Sequence, residues 1–161
     1  MASALRVAAV ALAAAVIIFA AYEVYSLEVK QGTVTGAVPS AFTVNGRTYA
    51  FTYTATTEAQ REAGLMNTKI TNTTTMLFAF PAPGTWTFWM YQTNASLDMI
   101  WLNGTGNSAR VVYLVTSASP CYDASACTKY TPTADANYVI EAKAGFAASN
   151  DIAVGTAVEL S

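Results

Sequence analysis

Asn45-Gly46 sits between two runs of alternating apolar and polar residues, "AFTV" and "RTYAFTYT", and restricts the fold more than any other feature. A two-residue type I′ turn needs positive φ at both central positions, which Asn and Gly tolerate. Phe42 and Val44 on one side, then Tyr49, Phe51 and Tyr53 on the other, repeat with the period of two expected of half-buried strands. Downstream, "TTTMLFAF", "TWTFWMYQ", "LDMIWLN", "ARVVYLVTS", "NYVIEAK" and "TAVEL" read as further strands. "PAPG" at Pro81–Gly84, "GTGN" at Gly104–Asn107 and "AGFAASN" separate some of them as turns. Thr57 followed by Gln60 fits a capping box, with Gly64 as the closing residue, so a short helix is expected over Glu58–Ala63. No βαβ rhythm is present. The pattern predicts a mainly β chain: an antiparallel β-sandwich or barrel-like domain of about eight strands over residues 40–161, with one or two short helices.

That domain is preceded by a different kind of sequence. Val7–Tyr22 is an uncharged run of sixteen residues. If Glu23 lies at an interface, the apolar stretch extends to about Leu27 and approaches the roughly 20 residues of a spanning helix. Residues 1–28 therefore read as a single transmembrane anchor, and 29–39, with two glycines and a proline, as a linker. A cleaved signal peptide is the alternative, although the small-residue cleavage pattern is poor and only Arg6 precedes the run. With Arg6 before it and Glu23 and Glu28 after it, the N-terminus is expected in the cytoplasm and the β-domain outside the cell membrane.

The cysteines agree with that location. Cys121 and Cys127 are the only two, six positions apart in a polar loop, and outside the cell such a pair reads as a disulfide. Two thiols in a chain without histidine cannot complete a tetrahedral metal shell, and the spacing is unlike a Cys-x-x-Cys redox pair. Asn72, Asn94 and Asn103 stand in glycosylation sequons. The net charge is −2 and Lys and Arg are not clustered, which argues against nucleic acid as a partner. The expected partners are the membrane, through the N-terminal helix, and other membrane or envelope proteins. No cofactor is implied.

Several short segments, taken in order, carry a resemblance. They are Arg61–Met66 "REAGLM", Met76–Phe80 "MLFAF", Phe88–Met90 "FWM", Leu97-Asp98, Cys121 with Cys127 and Tyr130, and Tyr138–Gly145 "YVIEAKAG". Together they resemble the family called Domain of Unknown Function 192, over about two thirds of the chain. The resemblance implies a compact β-sandwich or barrel-like domain, often exported or membrane-anchored, and no established reaction. The chain has Gln92 where the family usually has asparagine, and Ser96 where it usually has proline.

The candidate polar cluster is Arg61, Trp89, Gln92, Asp98, Tyr130 and Glu141. Trp86, Phe88 and Met90 should point one way from their segment, into a core, and Trp89 and Tyr91 the other. Asp98 between Leu97 and Met99 would lose its hydration on folding and must be paired. Arg61 and Arg110 are the candidate partners, since a guanidinium satisfies both carboxylate oxygens, and Arg61 is favoured because the resembled family retains it alongside the aspartate. Asp98 is then structural and not a reactive centre. Glu141 is a second internal carboxyl, and only if it faced Asp98 at about 5–9 Å would the two form a glycosidase-like pair. Tyr130 is expected to anchor the disulfide loop. The leading expectation is a membrane-anchored extracytoplasmic binding module without catalysis. A pilin-like filament or coat subunit and a carbohydrate-binding or hydrolysing domain are the alternatives.

Overall fold

A computed structural model describes residues 16–20, 23, 32, 34 and 37–161. Met1–Gly32 and Thr33–Ser161 are separate units. In the first, residues 16–20 and 23 are helical and Val16, Ile17, Ile18 and Phe19 are exposed. Among the described residues no helix is long and apolar enough to cross a membrane. Most of the anchor expected over 1–28, and most of the linker over 29–39, lies outside the described residues.

The second unit contains β1 (Ala41–Val44), β2 (Arg47–Ala50), β3 (Tyr53–Ala55), α1 (Glu58–Ala63), β4 (Thr75–Gly84), β5 (Leu97–Thr105), β6 (Ser108–Ala118), β7 (Ala136–Lys143), α2 (Phe146–Ser149) and β8 (Ala157–Leu160). The eight strands form one curled sheet in the order β2-β1-β8-β6-β5-β7-β4-β3. Asn45 and Gly46 have φ of 48° and 76°, the turn their identities predict. α1 spans the expected residues and carries the full capping box between Thr57 and Gln60.

Three strand expectations change. Pairing is not wholly antiparallel, because β3 runs parallel to β4. β4 does not stop at Pro81 but continues to Gly84, with an irregularity in its register against β7 after Ala79. "TWTFWMYQ" is not a strand of the sheet. It is an extended segment joined to neighbouring loops by the isolated bridges Phe88–Tyr130 and Tyr91–Cys121, while Met66–Thr93 ties down the residues just after it.

β2 and β3 belong to one run of chain that changes partners at Phe51-Thr52. Up to Ala50 it pairs with β1; from Tyr53 it pairs with β4. At the switch Phe51 N–H donates to Ser40 O at 2.8 Å and Thr52 N–H to Thr75 O at 2.9 Å. The run therefore links the two margins of the sheet and curls it into a half-barrel.

Alternation along the central strands separates two apolar cores. Leu77, Ile100, Leu102 and Ile140 face the enclosed side with Phe42, Val44, Val158 and Leu160. Met76, Phe78, Leu97, Met99, Trp101 and Val139 face the other side, where Phe88, Met90 and Leu65 cover them. Such two-sided burial explains why "LDMIWL" is apolar at every position except Asp98, without the alternation of a sheet with one wet face.

Gly104 of β5 pairs with Ala109 of β6 and has no room for a side chain. A Cβ there would lie 2.2 Å from Ser108 O and 2.5 Å from Ala109 Cα, both backbone atoms that cannot swing away. Gly104→Ala is expected to cost about 3 kcal/mol. Ala at Gly106, where φ is 58° but the space is open, should cost only about 1 kcal/mol. Parallel denaturation curves check the ranking, and equal losses would contradict it.

Candidate functional site

The six residues of the expected polar cluster do not come together at one point. Asp98 and Glu141 lie on adjacent strands, but β5 and β7 pair Asp98 with Ala142 and Met99 with Glu141. Neighbours on adjacent strands share a face, and successive residues alternate. Asp98 thus points into the enclosed side and Glu141 into the loop-covered side. The sheet stands between them, which overturns the paired-carboxylate arrangement.

Asp98 is 0% exposed. Its partners are two backbone amides and not Arg61: Oδ1 accepts from Ser117 N–H and Oδ2 from Ala147 N–H, both at 2.8 Å. The local register explains the first. Leu97 pairs with Ala118 and Met99 with Val115, so two residues of β6 oppose Asp98 alone. That bulge places Ser117 at a φ of 54° and turns its amide toward the carboxylate. The second bond fastens the start of α2. Asp98 is a structural tie, as its apolar flanks imply, but it joins a bulge to a helix.

Arg61 is used elsewhere. Its guanidinium donates to Thr56 O at 2.9 Å and Ala79 O at 3.1 Å and lies 5.2 Å from the Phe80 ring centroid. Burial lowers its pKa, and nearby Glu58 partly offsets this. Thr56 O lies just after β3 and Ala79 O within β4. Arg61 therefore holds α1 to the β3–β4 margin.

Glu141 is 4% exposed, flanked in register by Met76 on β4 and Met99 on β5. Its carboxyl makes no hydrogen bond among the described residues. Burial alone pushes its pKa up to about 8. A carboxyl without partners in such a place stays protonated at neutral pH.

Trp89, Gln92 and Tyr130 do share a region, the loop layer over this same face. Phe88 and Tyr130 exchange backbone hydrogen bonds of 2.9 and 2.8 Å. Cys121 N–H donates to Met90 O, and Gln92 N–H to Cys121 O. The Cys121–Cys127 disulfide, with Cα atoms 5.6 Å apart, closes the second loop. Its closure contributes roughly 2 kcal/mol in the chain-entropy model. As the alternation predicts, Phe88 and Met90 are buried. Trp86 is partly buried and stacks on Phe80 at 4.1 Å. Trp89 points outward, with Lys129 Nζ 3.1 Å from its ring centroid and Tyr91 at 5.2 Å. Tyr122, at the outer edge of the disulfide loop, is 66% exposed. Gln92 adopts a φ of 52° and accepts from Asn67 Nδ2 at 3.2 Å, clipping the layer to the chain after α1. Of the sequon residues, Asn72 and Asn94 are exposed and Asn103 is half-buried in β5.

One polar centre has no counterpart in the sequence reading. Asn150, only 5% exposed, accepts at Oδ1 from Tyr49 Oη and, at 3.3 Å, from Arg47 Nη1; its Nδ2 donates to Phe146 O at 2.9 Å. It locks β2 to α2. An asparagine in "AASND" looks like any turn residue, and no local signal marks it.

The fold and the loop layer define a curled β-domain with a disulfide-pinned cover. The DUF192 family model, described as an uncharacterized ACR, matches residues 41–160. The chain belongs to this family. No curated protein matches the chain. Two solved structures resemble it. One is a candidate transcription regulator from Sinorhizobium meliloti 1021, 26% identical, with a TM-score of 0.61 over 78% of this chain and 98% of that one. The other is a protein of unknown function from Novosphingobium aromaticivorans DSM 12444, 27% identical, with a TM-score of 0.62 over 82% of this chain and 96% of that one.

Proposed function

We propose that this chain is an extracytoplasmic, non-enzymatic interaction module, held at the cell membrane by its N-terminal segment, and that it binds another membrane or envelope protein. The observation that carries the reading is the outward Trp89 on a cover fixed from both sides. Its backbone neighbours are bonded to the disulfide loop, and Tyr91 and Lys129 lie against the ring. Rigid, partly exposed aromatics are the side chains that dominate binding energy at protein interfaces. A disulfide and the uncharged run Val7–Tyr22 favour the location. The regulator description of one structural relative is not carried over, because 8 Lys and Arg against 10 Asp and Glu give a net charge of −2, which does not favour DNA.

The test is to isolate the full chain from native membranes in mild detergent. A stoichiometric partner should be recovered with the wild type and lost from Trp89→Ala, while the variant keeps its melting temperature within a few degrees. Protease added to intact cells should reach the β-domain. Recovery of a free monomer alone, or a complex indifferent to Trp89→Ala, would sink the reading.

A further inference from the structure

The end of the half-barrel closed by α2 holds a cavity of about 400 Å³, and nothing in the loop layer takes part in it. Lys143 at the end of β7, Asn72, Tyr49 of β2, and Phe146, Ser149 and Asn150 of the α2 region line it. We propose that this cavity binds a small organic carboxylate, with the anionic group at Lys143 and the body against Tyr49 and Phe146.

The charge at the wall is one-signed. Lys143 is the single formally charged residue lining the cavity. Lys143 is exposed; its Nζ donates to Asn72 Oδ1 at 2.7 Å, a neutral acceptor that leaves two of its three donors for a ligand. Asp98, beside Leu97, the residue that pairs with Lys143, has its carboxylate oxygens occupied by Ser117 N–H and Ala147 N–H. Behind the wall a second cation adds to the positive field, since Arg47 Nη1 donates to Ser149 O at 2.9 Å and to Asn150 Oδ1.

The wall beside Lys143 is mixed, with Tyr49 and Phe146 as its aromatic part and Asn72, Ser149 and Asn150 as its neutral polar part. The Tyr49 and Phe146 rings meet edge to face at 4.9 Å, and both pack on the buried Phe42. Asn150 holds the Tyr49 ring by its hydroxyl and the Phe146 backbone by its carbonyl, and the Phe146 ring is held by its contacts with Tyr49 and Phe42. Gly145, at a φ of 92°, makes the sharp turn between Lys143 and Phe146. Aromatic rings beside a few placed polar groups is an arrangement small-molecule sites use, and this volume is at the small end of their range. A bare inorganic anion would leave the rings unused, and an amine would meet Lys143 as a like charge.

The test uses the full chain in detergent at constant ionic strength, with benzoate as the probe and backbone amide resonances as the readout. Benzoate should give saturable shifts confined to Tyr49, Asn72 and Lys143–Asn150. Lys143→Met, with its fold confirmed by an unchanged spectrum elsewhere, should weaken benzoate about tenfold or more, the usual loss of one charge-assisted hydrogen bond. Benzamide should bind correspondingly weakly and benzylamine not at all. Trp89→Ala should leave the titration unchanged, which separates this site from the interaction surface. Shifts that do not saturate, equal response to benzylamine, or indifference to Lys143→Met would overturn the site. Inorganic phosphate binding as well as benzoate would overturn the organic body of the ligand.

Discussion

Asp98→Ala is expected to remove about 3–5 kcal/mol from the stability of the domain, the largest loss for any polar side chain described above. The substitution leaves Ser117 N–H and Ala147 N–H without an acceptor in a site that excludes water, at about 1–3 kcal/mol each, and opens a small void as well. Asp98→Asn keeps one acceptor but turns an N–H₂ toward an N–H, so about 2–4 kcal/mol should be lost. Against a total of about 5–15 kcal/mol for a domain, either change is severe. Denaturation followed by tryptophan fluorescence gives the sizes. Hydrogen exchange tests the cause, because protection should fall first at Ser117 and Ala147. Arg61→Leu combined with Asp98→Ala should be additive within about 0.5 kcal/mol, as expected of residues without a shared partner. A strong coupling between them would restore the ion pair that the geometry replaces.

Stability should also fall as pH rises from about 4.5 to about 8, and Glu141 should be the reason. Folding raises its pKa from 4.5 to about 8 by burial. Between those values the folded state holds a proton that the unfolded state has lost. The unfolded state then binds fewer protons, so unfolding becomes easier with rising pH. The contribution is fully present below about 4.5 and is lost as pH passes through about 8. It amounts to a few kcal/mol over the window. The chain suits this measurement because it contains no histidine, the residue that usually dominates titration there. Melting temperatures should decline across the window for the wild type and stay nearly level for Glu141→Gln. A wild-type curve that is flat or rising from pH 5 to 8 would show that the carboxyl finds a partner or water in solution.

What the sequence conveyed depended on the range of the interaction that decides each feature. The Asn45-Gly46 turn, the Thr57–Gln60 cap and the disulfide are short-range, and their residues announced them. The inward and outward sides of Trp86–Tyr91 also followed from alternation, which any extended chain obeys. Alternation does not distinguish a strand of the sheet from an extended cover lying on it, which is why "TWTFWMYQ" reads as a strand. The parallel pairing of β3 was invisible because it depends on where the chain goes after Phe51. Asp98 was recognised as a tied-down residue from its apolar flanks, yet its true partners are backbone amides, which carry no sequence signature. Glu141 looked like a possible mate for Asp98 until register put a sheet between them. Asn150 shows the same limit, since its importance comes entirely from Arg47, Tyr49 and Phe146, which lie far away or look ordinary.

The partner switch at Phe51-Thr52 has a consequence for how many copies of this domain can crowd together. An open eight-stranded sheet would present two long rows of unpaired backbone groups, ready templates for a neighbouring chain. Here one run serves both margins, so the free flank beside β2 is four residues long and that beside β3 only three. A fibril needs about six or seven residues of uninterrupted strand to propagate. Neither flank offers that length, and Arg47 places a charge at the start of the longer one. The curl that shapes the fold thereby leaves little purchase for strand-to-strand aggregation, even where molecules are packed densely side by side.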